Sequence, residues 1–303
     1  MEKIKYENYN LYHYTSLSTL LAIIQNKTIR LSDYRFLNDK QELTYAIERL
    51  KEIAQDQSNV FSRKLTNVLN DISIGKAVLP FTDESTDNLA KSIDNPIGIK
   101  FQKYDLSYYV LSLSEKCDDL AMWKMYAKLG CCIKFNSQIL LEYFHNIRDR
   151  HFLKGICNIC YGKIRYDESI DQQIYNFMKF ENQISNLDIN LYDGAWRWCL
   201  LNKCNSFAYE KEFRIAIPFS PKFLMGEESY KFIITDGFIK PQIEFNNFPV
   251  DNVIEEIVIS PYLDTKLVQM GIEEVLKSEK IENVTIRSSD IQSASSVVRK
   301  KGS

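Results

Sequence analysis

The run Tyr209-Glu210-Lys211-Glu212-Phe213-Arg214-Ile215-Ala216-Ile217 alternates charged and apolar side chains before it turns wholly apolar, a pattern that few backbones satisfy. A strand sends successive side chains to opposite faces. The run therefore predicts a strand with Glu210, Glu212 and Arg214 on one face, each about 6.7 Å from the next, and Tyr209, Phe213 and Ile215 on the other. Two carboxylates and a guanidinium in a row have two readings: a ladder of ion pairs on an exposed sheet face, or the charged edge of a chemical site.

Elsewhere the hydrophobic period switches irregularly between two and 3.6. Residues 10–14 read as a strand, with Thr15 or Ser16 capping a helix whose Leu17, Leu20, Leu21 and Ile24 lie on one face. A second strand is expected at 28–32. Asp39 and Glu42 have the spacing of a capping box ahead of a helix through Leu43, Ile47, Leu50 and Ala54. Another helix is expected at 60–72. From Ser73 to Lys100 the periodicity fades, and the polar run at 82–88 suggests a loop, an insertion or a lid. Strands follow at 108–114 and 131–135, separated by a helix capped by Asp118-Asp119 and closed by Gly130. Further strands are expected at 152–157, 162–166, 230–234, 242–245, 253–260 and 283–288. The remaining helices are expected at 138–144, 168–185, 194–206 and 264–278, and residues 295–303 read as a tail. Strands and helices without regular alternation imply a mixed α+β fold in one elaborated domain spanning 1–303, with no doubly wound sheet.

A chain of 303 residues can bury a sizeable core, and 45% apolar with 26% charged residues is an ordinary globular balance. With 38 Lys and Arg against 40 Asp and Glu, no global attraction to nucleic acid or anionic membrane is expected. The first residues lack an apolar signal core and no apolar run reaches membrane-spanning length, so a cytoplasmic protein is expected. Seven cysteines, an odd number, suit reduced thiols better than a disulfide framework. Cys157 and Cys160 form a CxxC, but Cys199 and Cys204 lack the spacing of a second zinc knuckle, so no metal is expected. Neither GxGxxG, a Walker sequence nor GxSxG is present, which removes the common dinucleotide, P-loop and α/β-hydrolase readings.

Three histidines are candidates for chemistry. His145 and His151 fall where a solvated surface is expected, whereas His13 ends the first strand, as a hydrogen-bonded strand-end residue or a ligand-binding one. Trp123 and Tyr126 share a helix face, and either pack in the core or wall a flat pocket.

In order along the chain, several of these pieces resemble the bacterial domain of unknown function 2971. They are Tyr12-His13-Tyr14-Thr15-Ser16, Asn38-Asp39 with Glu42, the Ser112 strand, Met122-Trp123 with Tyr126-Ala127 and Gly130, Tyr209 to Arg214, and the strand from Ile254 to Pro261. Lys40 and Phe213 depart from that family's usual Pro and Trp or Tyr. The ordered His13, Tyr126 and Glu212 also resemble the His-Tyr-Glu set of the ADP-ribosyltransferase-like superfamily, which implies a split sheet with helical insertions and a cleft that takes NAD as substrate. On that resemblance His13, with Tyr14 and Thr15 beside it, binds a ribose of NAD. Tyr126 or Trp123 stacks on nicotinamide, and Glu212 holds the 2′-hydroxyl. Glu210 orients or deprotonates an acceptor, and Arg214 contacts the pyrophosphate or orients Glu212. The expected activity is an NAD-dependent ADP-ribosyltransferase or NAD glycohydrolase acting on a protein, nucleic-acid or other acceptor, in a setting such as toxin or phage defence. RNA 2′-phosphate transfer and a catalytically inert nucleotide- or protein-binding module are the competing readings.

Overall fold

The computed structural model describes residues 7–37, 42–56, 58–74, 76–81, 100–105, 107–152, 159–166, 171–185, 188–219, 228–235 and 237–291, and twelve strands and nine α-helices lie among these described residues. In order they are β1 (Asn10–Ser16), α1 (Leu17–Asn26), β2 (Ile29–Asp33), α2 (Glu42–Ile53), α3 (Val60–Ser73), β3 (Lys76–Phe81), β4 (Lys100–Asp105) and β5 (Ser107–Ser114). Then follow α4 (Leu120–Tyr126), β6 (Gly130–Asn136), α5 (Ser137–Phe152), β7 (Cys160–Lys163), α6 (Asp171–Ser185), α7 (Asp188–Leu201) and β8 (Glu212–Phe219). The last are β9 (Glu228–Thr235), β10 (Phe238–Phe245), α8 (Val250–Val253), β11 (Ile254–Ile259), α9 (Thr265–Ser278) and β12 (Thr285–Ser288). Local chemistry sets many of these boundaries. Ser16 Oγ accepts from Thr19 N at 3.1 Å to start α1, and Lys27 at φ 50° ends it in the left-handed region.

Ten strands form one mixed sheet, and β3 pairs with β4 apart from it. Its decisive feature is the second edge of β5. Strand β8 pairs with β5 over the whole length, from Ser107 opposite Phe219 to Ser114 opposite Glu212. A strand has two edges, so β1 and β2 must share the other one. Strand β2 meets it at Tyr109 and Val110, and β1 meets it only at Ser114. Beyond Tyr12, β1 leaves β5 and pairs with β6 along its full length. Residues 111–113 therefore face a gap, and the sheet is split into a β1-β6-β11-β12 half and a β7-β8-β5-β2-β10-β9 half.

The two faces of this sheet differ. On one, Leu11, Leu111, Leu113, Phe135, Phe213, Ile215, Ile243 and Ile257 form the main core under α1, α5 and α9. The other face is shared by two smaller clusters. Trp196, Leu200 and Tyr175 of the α2-α3-α6-α7 layer cover Val110 and Ala216, while Trp123 and Met122 of α4 cover Tyr14, Cys132 and Val258. Between them, over the split, polar side chains replace the core.

Several expectations are corrected. Lys76–Phe81 and Lys100–Asp105 pair as antiparallel strands within the stretch where no periodicity was found; the polar run at 82–88, the Asn38-Asp39 cap and the 295–303 tail lie outside the described residues. The strand expected from residue 152 is overturned at its start, because α5 runs on to Phe152; residues 153–157 lie outside the described residues. His145 is half-buried within α5, its ring edge-on to Tyr161 at 5.7 Å, not on a solvated surface. Among the described residues no helix is long and apolar enough to cross a membrane.

Gly130 does not close α4, which ends with Ala127 as its cap; it opens β6 opposite Ser16. A Cβ there would lie 1.9 Å from the Thr15 carbonyl oxygen, a backbone atom that cannot rotate away. Gly130→Ala is expected to destabilise the fold by about 3 kcal/mol, at the upper end of overpacking costs, read as a lower urea midpoint at unchanged m-value.

Candidate functional site

The gap between β1 and β5 opens into a cleft of about 280 Å³ lined by His13, Tyr14 and Thr15 of β1, Ser112 and Ser114 of β5, and Tyr126 of α4. Lys203, Glu210, Glu212 and Arg214 close one end, and Arg30, Ser32, Lys240 and Gln242 line the other. Residues far apart in sequence thus meet because the sheet splits and neither helical cluster covers the split.

Glu212 and Arg214 sit on one face of β8, as alternation requires, opposite Ser114 and Ser112. Glu210 is not on the strand. It ends a 3-10 turn at Asn205–Glu210, and Lys211 at φ 46° bends the chain before β8 begins. A left-handed residue breaks the period of two, which the alternating letters conceal. Glu210 nonetheless joins the charged cluster from the turn: its carboxylate accepts from the Tyr126 hydroxyl at 2.5 Å and from Lys203 Nζ at 2.7 Å. Its carbonyl accepts from Ser114 Oγ at 2.6 Å.

Glu212 is gripped on both oxygens. Arg214 donates from Nε at 2.6 Å and from Nη2 at 2.9 Å, and Lys203 Nζ lies 3.3 Å from Oε2. The site is an ion-pair network with two acids and two bases, buried rather than exposed. Burial alone pushes the Glu212 carboxyl up. The charges of Arg214 and Lys203, with hydrogen bonds from Arg214 and Ser112, outweigh it and hold the group down to about 2. Glu212 is therefore ionised at neutral pH. The remaining Arg214 nitrogen, Nη1, donates to the Leu200 carbonyl at 2.9 Å, so all three guanidinium nitrogens have partners and the group is held in place beside Glu212.

His13 points to the main-core side of the split. Its ring lies 6.3 Å from that of Phe135, and Nδ1 is 3.4 Å from the Ser112 carbonyl in the stretch of β5 that β1 has left. Burial takes its pKa down to about 4, against a weaker upward pull from the Ser112 carbonyl, so the ring is neutral at pH 7. The unfolded chain takes up this proton near pH 6.5 and the folded chain only near 4. The stability this histidine lends is thus complete above about pH 6.5 and lost as pH falls towards 4. His13→Gln is expected to flatten Tm against pH in that window. The loss due to Glu212, between about 4.5 and about 2, stays in place.

Trp123 does not wall the cleft. It is fully buried, edge-on to Tyr14 at 5.0 Å, with Nε1 donating to Asp118 Oδ1 at 2.7 Å. The Tyr14 hydroxyl donates to the Lys116 carbonyl at 3.1 Å and accepts from Asp119 N at 2.9 Å, so Tyr14 anchors the start of α4 while its ring borders the cleft. Thr15 is buried at the cleft's edge. Of the two aromatics on α4, Tyr126 alone reaches the site.

Lys203 escaped sequence reasoning. The helix expected over 194–206 ends at Leu201, and Lys203, 5% exposed, carries its ammonium between two carboxylates and over the Phe207 ring at 4.6 Å. Nothing in Leu201-Asn202-Lys203-Cys204 marks that role, since a single lysine after a helix is ordinarily solvated. Tyr166 was missed for the same reason; its hydroxyl accepts from Glu212 N at 3.0 Å. Of the CxxC, Cys157 lies outside the described residues, and burial pushes the Cys160 thiol up to about 12. Among the described residues no group of three or more His, Cys, Asp or Glu has metal-binding geometry.

A family model described as a protein of unknown function, DUF2971, finds its counterpart within this site. Residues 122–215 match the DUF2971 family. The DUF2971 segment runs from Met122 in α4 to Ile215 in β8, so it holds Tyr126, Lys203, Glu210, Glu212 and Arg214, the whole charged end of the cleft. His13 and the β2-β10 end lie outside it. No curated protein and no solved structure matches the chain.

Proposed function

We propose that the cleft binds NAD and that the chain is an ADP-ribosyltransferase or NAD glycohydrolase of the ADP-ribosyltransferase-like kind. The observation that carries this reading is that His13, Tyr126 and Glu212, from three distant segments, all line one cleft at the split of the sheet, His13 from the main-core side and the other two from the opposite face. A neutral His13 suits hydrogen bonding to a ribose hydroxyl. Tyr126, its hydroxyl fixed by Glu210, offers a ring held in place for nicotinamide.

When the bond from ribose C1′ to the nicotinamide nitrogen breaks, its electron pair leaves with the neutral ring and positive charge builds on the ribose. A carboxylate that is already ionised and fixed by Arg214 stabilises that charge without reorganising. The acceptor oxygen or nitrogen then bonds to C1′, and its proton passes to Glu210 or to solvent. The protein's own groups suffice for this chemistry.

One observation favours a second reading, a nucleotide-binding module without turnover. Four donated hydrogen bonds, two from Arg214 and one each from Lys203 and Ser112, fill the roughly four acceptor positions of the Glu212 carboxylate. Incubation with NAD separates the two. Calorimetric binding together with chromatographic release of nicotinamide, with water or with protein and nucleic-acid acceptors, is the expected result; binding without release assigns the module, and neither binding nor release overturns both.

A further inference from the structure

Gln242 is 8% exposed on the cleft face of β10, opposite Ser32 of β2, and its Nε2 donates to Ser32 Oγ at 3.1 Å. Its Oε1 is buried and has no hydrogen-bond partner among the described residues. A buried acceptor left without a donor costs about 1–3 kcal/mol, so such an atom on the wall of a cleft marks the place of a missing donor. The surroundings narrow the donor's chemistry. Val110 lies beside Ser32 on β5, Ile233 and Lys240 are paired across β9 and β10, and Lys240 is two residues from Gln242 on the same face. With Leu37, these residues give apolar walls for a flat ring; Lys240 and Arg30 border the same end, the Arg30 Nε paired with Glu244 Oε2 at 2.6 Å.

We infer that Gln242 is the base-reading residue of the cleft and that it takes the adenine end of the dinucleotide, an inference that rests on the proposed NAD reading. Its Oε1 accepts from the exocyclic amino group, and the second Nε2 hydrogen donates to the adjacent ring nitrogen, the paired contact that a glutamine makes with adenine. The nicotinamide carboxamide also carries an amino group, but position excludes it. Glu212 and Gln242 are separated by three interstrand spacings and four residues along β5, roughly 20 Å on the sheet lattice. The scissile bond must lie at Glu212, so the other end of the ligand lies at Gln242. Ser32 is a positioning residue, holding one amide hydrogen and so fixing which way the amide is turned.

The test is calorimetric titration of wild type, Gln242→Met and Ser32→Ala with NAD and with its hypoxanthine analogue, which carries a carbonyl in place of the adenine amino group. Wild type is expected to bind NAD at least about tenfold more tightly than the analogue. Gln242→Met should bring the two affinities within about twofold, and Ser32→Ala should narrow the gap while circular dichroism stays unchanged. Equal affinities in wild type, or a preference that survives in Gln242→Met, overturn the adenine assignment and leave the NAD reading standing. No binding of either dinucleotide overturns both. If Gln242→Met does not fold, the wild-type ratio and Ser32→Ala decide.

Discussion

Glu212→Gln is expected to lower nicotinamide release from NAD by about a hundredfold or more, the scale on which a single preorganised electrostatic group acts in a water-poor site. The loss should fall on kcat. The neutral amide keeps the shape and a hydrogen-bonding oxygen, so NAD affinity should change only a few-fold. The substitution also leaves the Arg214 guanidinium, 2% exposed, without its counter-charge, so turnover has to be compared at a temperature where both proteins are folded by circular dichroism. A rise in KM at unchanged kcat would make Glu212 a structural anion. Unchanged turnover would remove it from the chemistry altogether.

Arg214→Met is expected to cost about 3–5 kcal/mol of stability, because it leaves a buried carboxylate with Lys203 as its remaining cation. The guanidinium makes both ends of a bidentate pair and also satisfies the Leu200 carbonyl, so three hydrogen bonds go at once. Urea unfolding measures the loss. Adding Glu212→Leu should restore most of it, since replacing both members of a buried pair with apolar groups is often neutral or better. A loss below about 1 kcal/mol in the single variant would mean that water reaches the network and screens it, as it does exposed pairs.

The two substitutions test the same strand from opposite sides. Were Arg214 only a neutraliser, Glu212→Gln would cost stability, by leaving a buried guanidinium without its counter-charge, and take no activity with it. The bidentate geometry serves both functions: it keeps the acid ionised down to about pH 2 and fixes where its charge points.

The sequence by itself determined what local periodicity and capping chemistry encode. The alternation through Phe213 and Ile215 placed β8 with Glu212 and Arg214 on one face, and Ser16 and Asp119 marked helix starts. The ordered His13, Tyr126 and Glu212 were legible because each stands in a short patterned segment. Tertiary structure decided the rest, for physical reasons local patterns cannot express. One left-handed residue, Lys211, took Glu210 off the strand it appeared to share. Both aromatics of α4 fit either use from their spacing, and only the packing of α4 on β1, β6 and β11 buried Trp123 and left Tyr126 at the cleft. Lys203 and Gln242 carried no sequence signal, since a lysine's or glutamine's role depends on what surrounds it after folding. The cleft exists because β1 and β2 share one edge of β5 without filling it, and strand partnership is a long-range choice that no stretch of sequence holds alone.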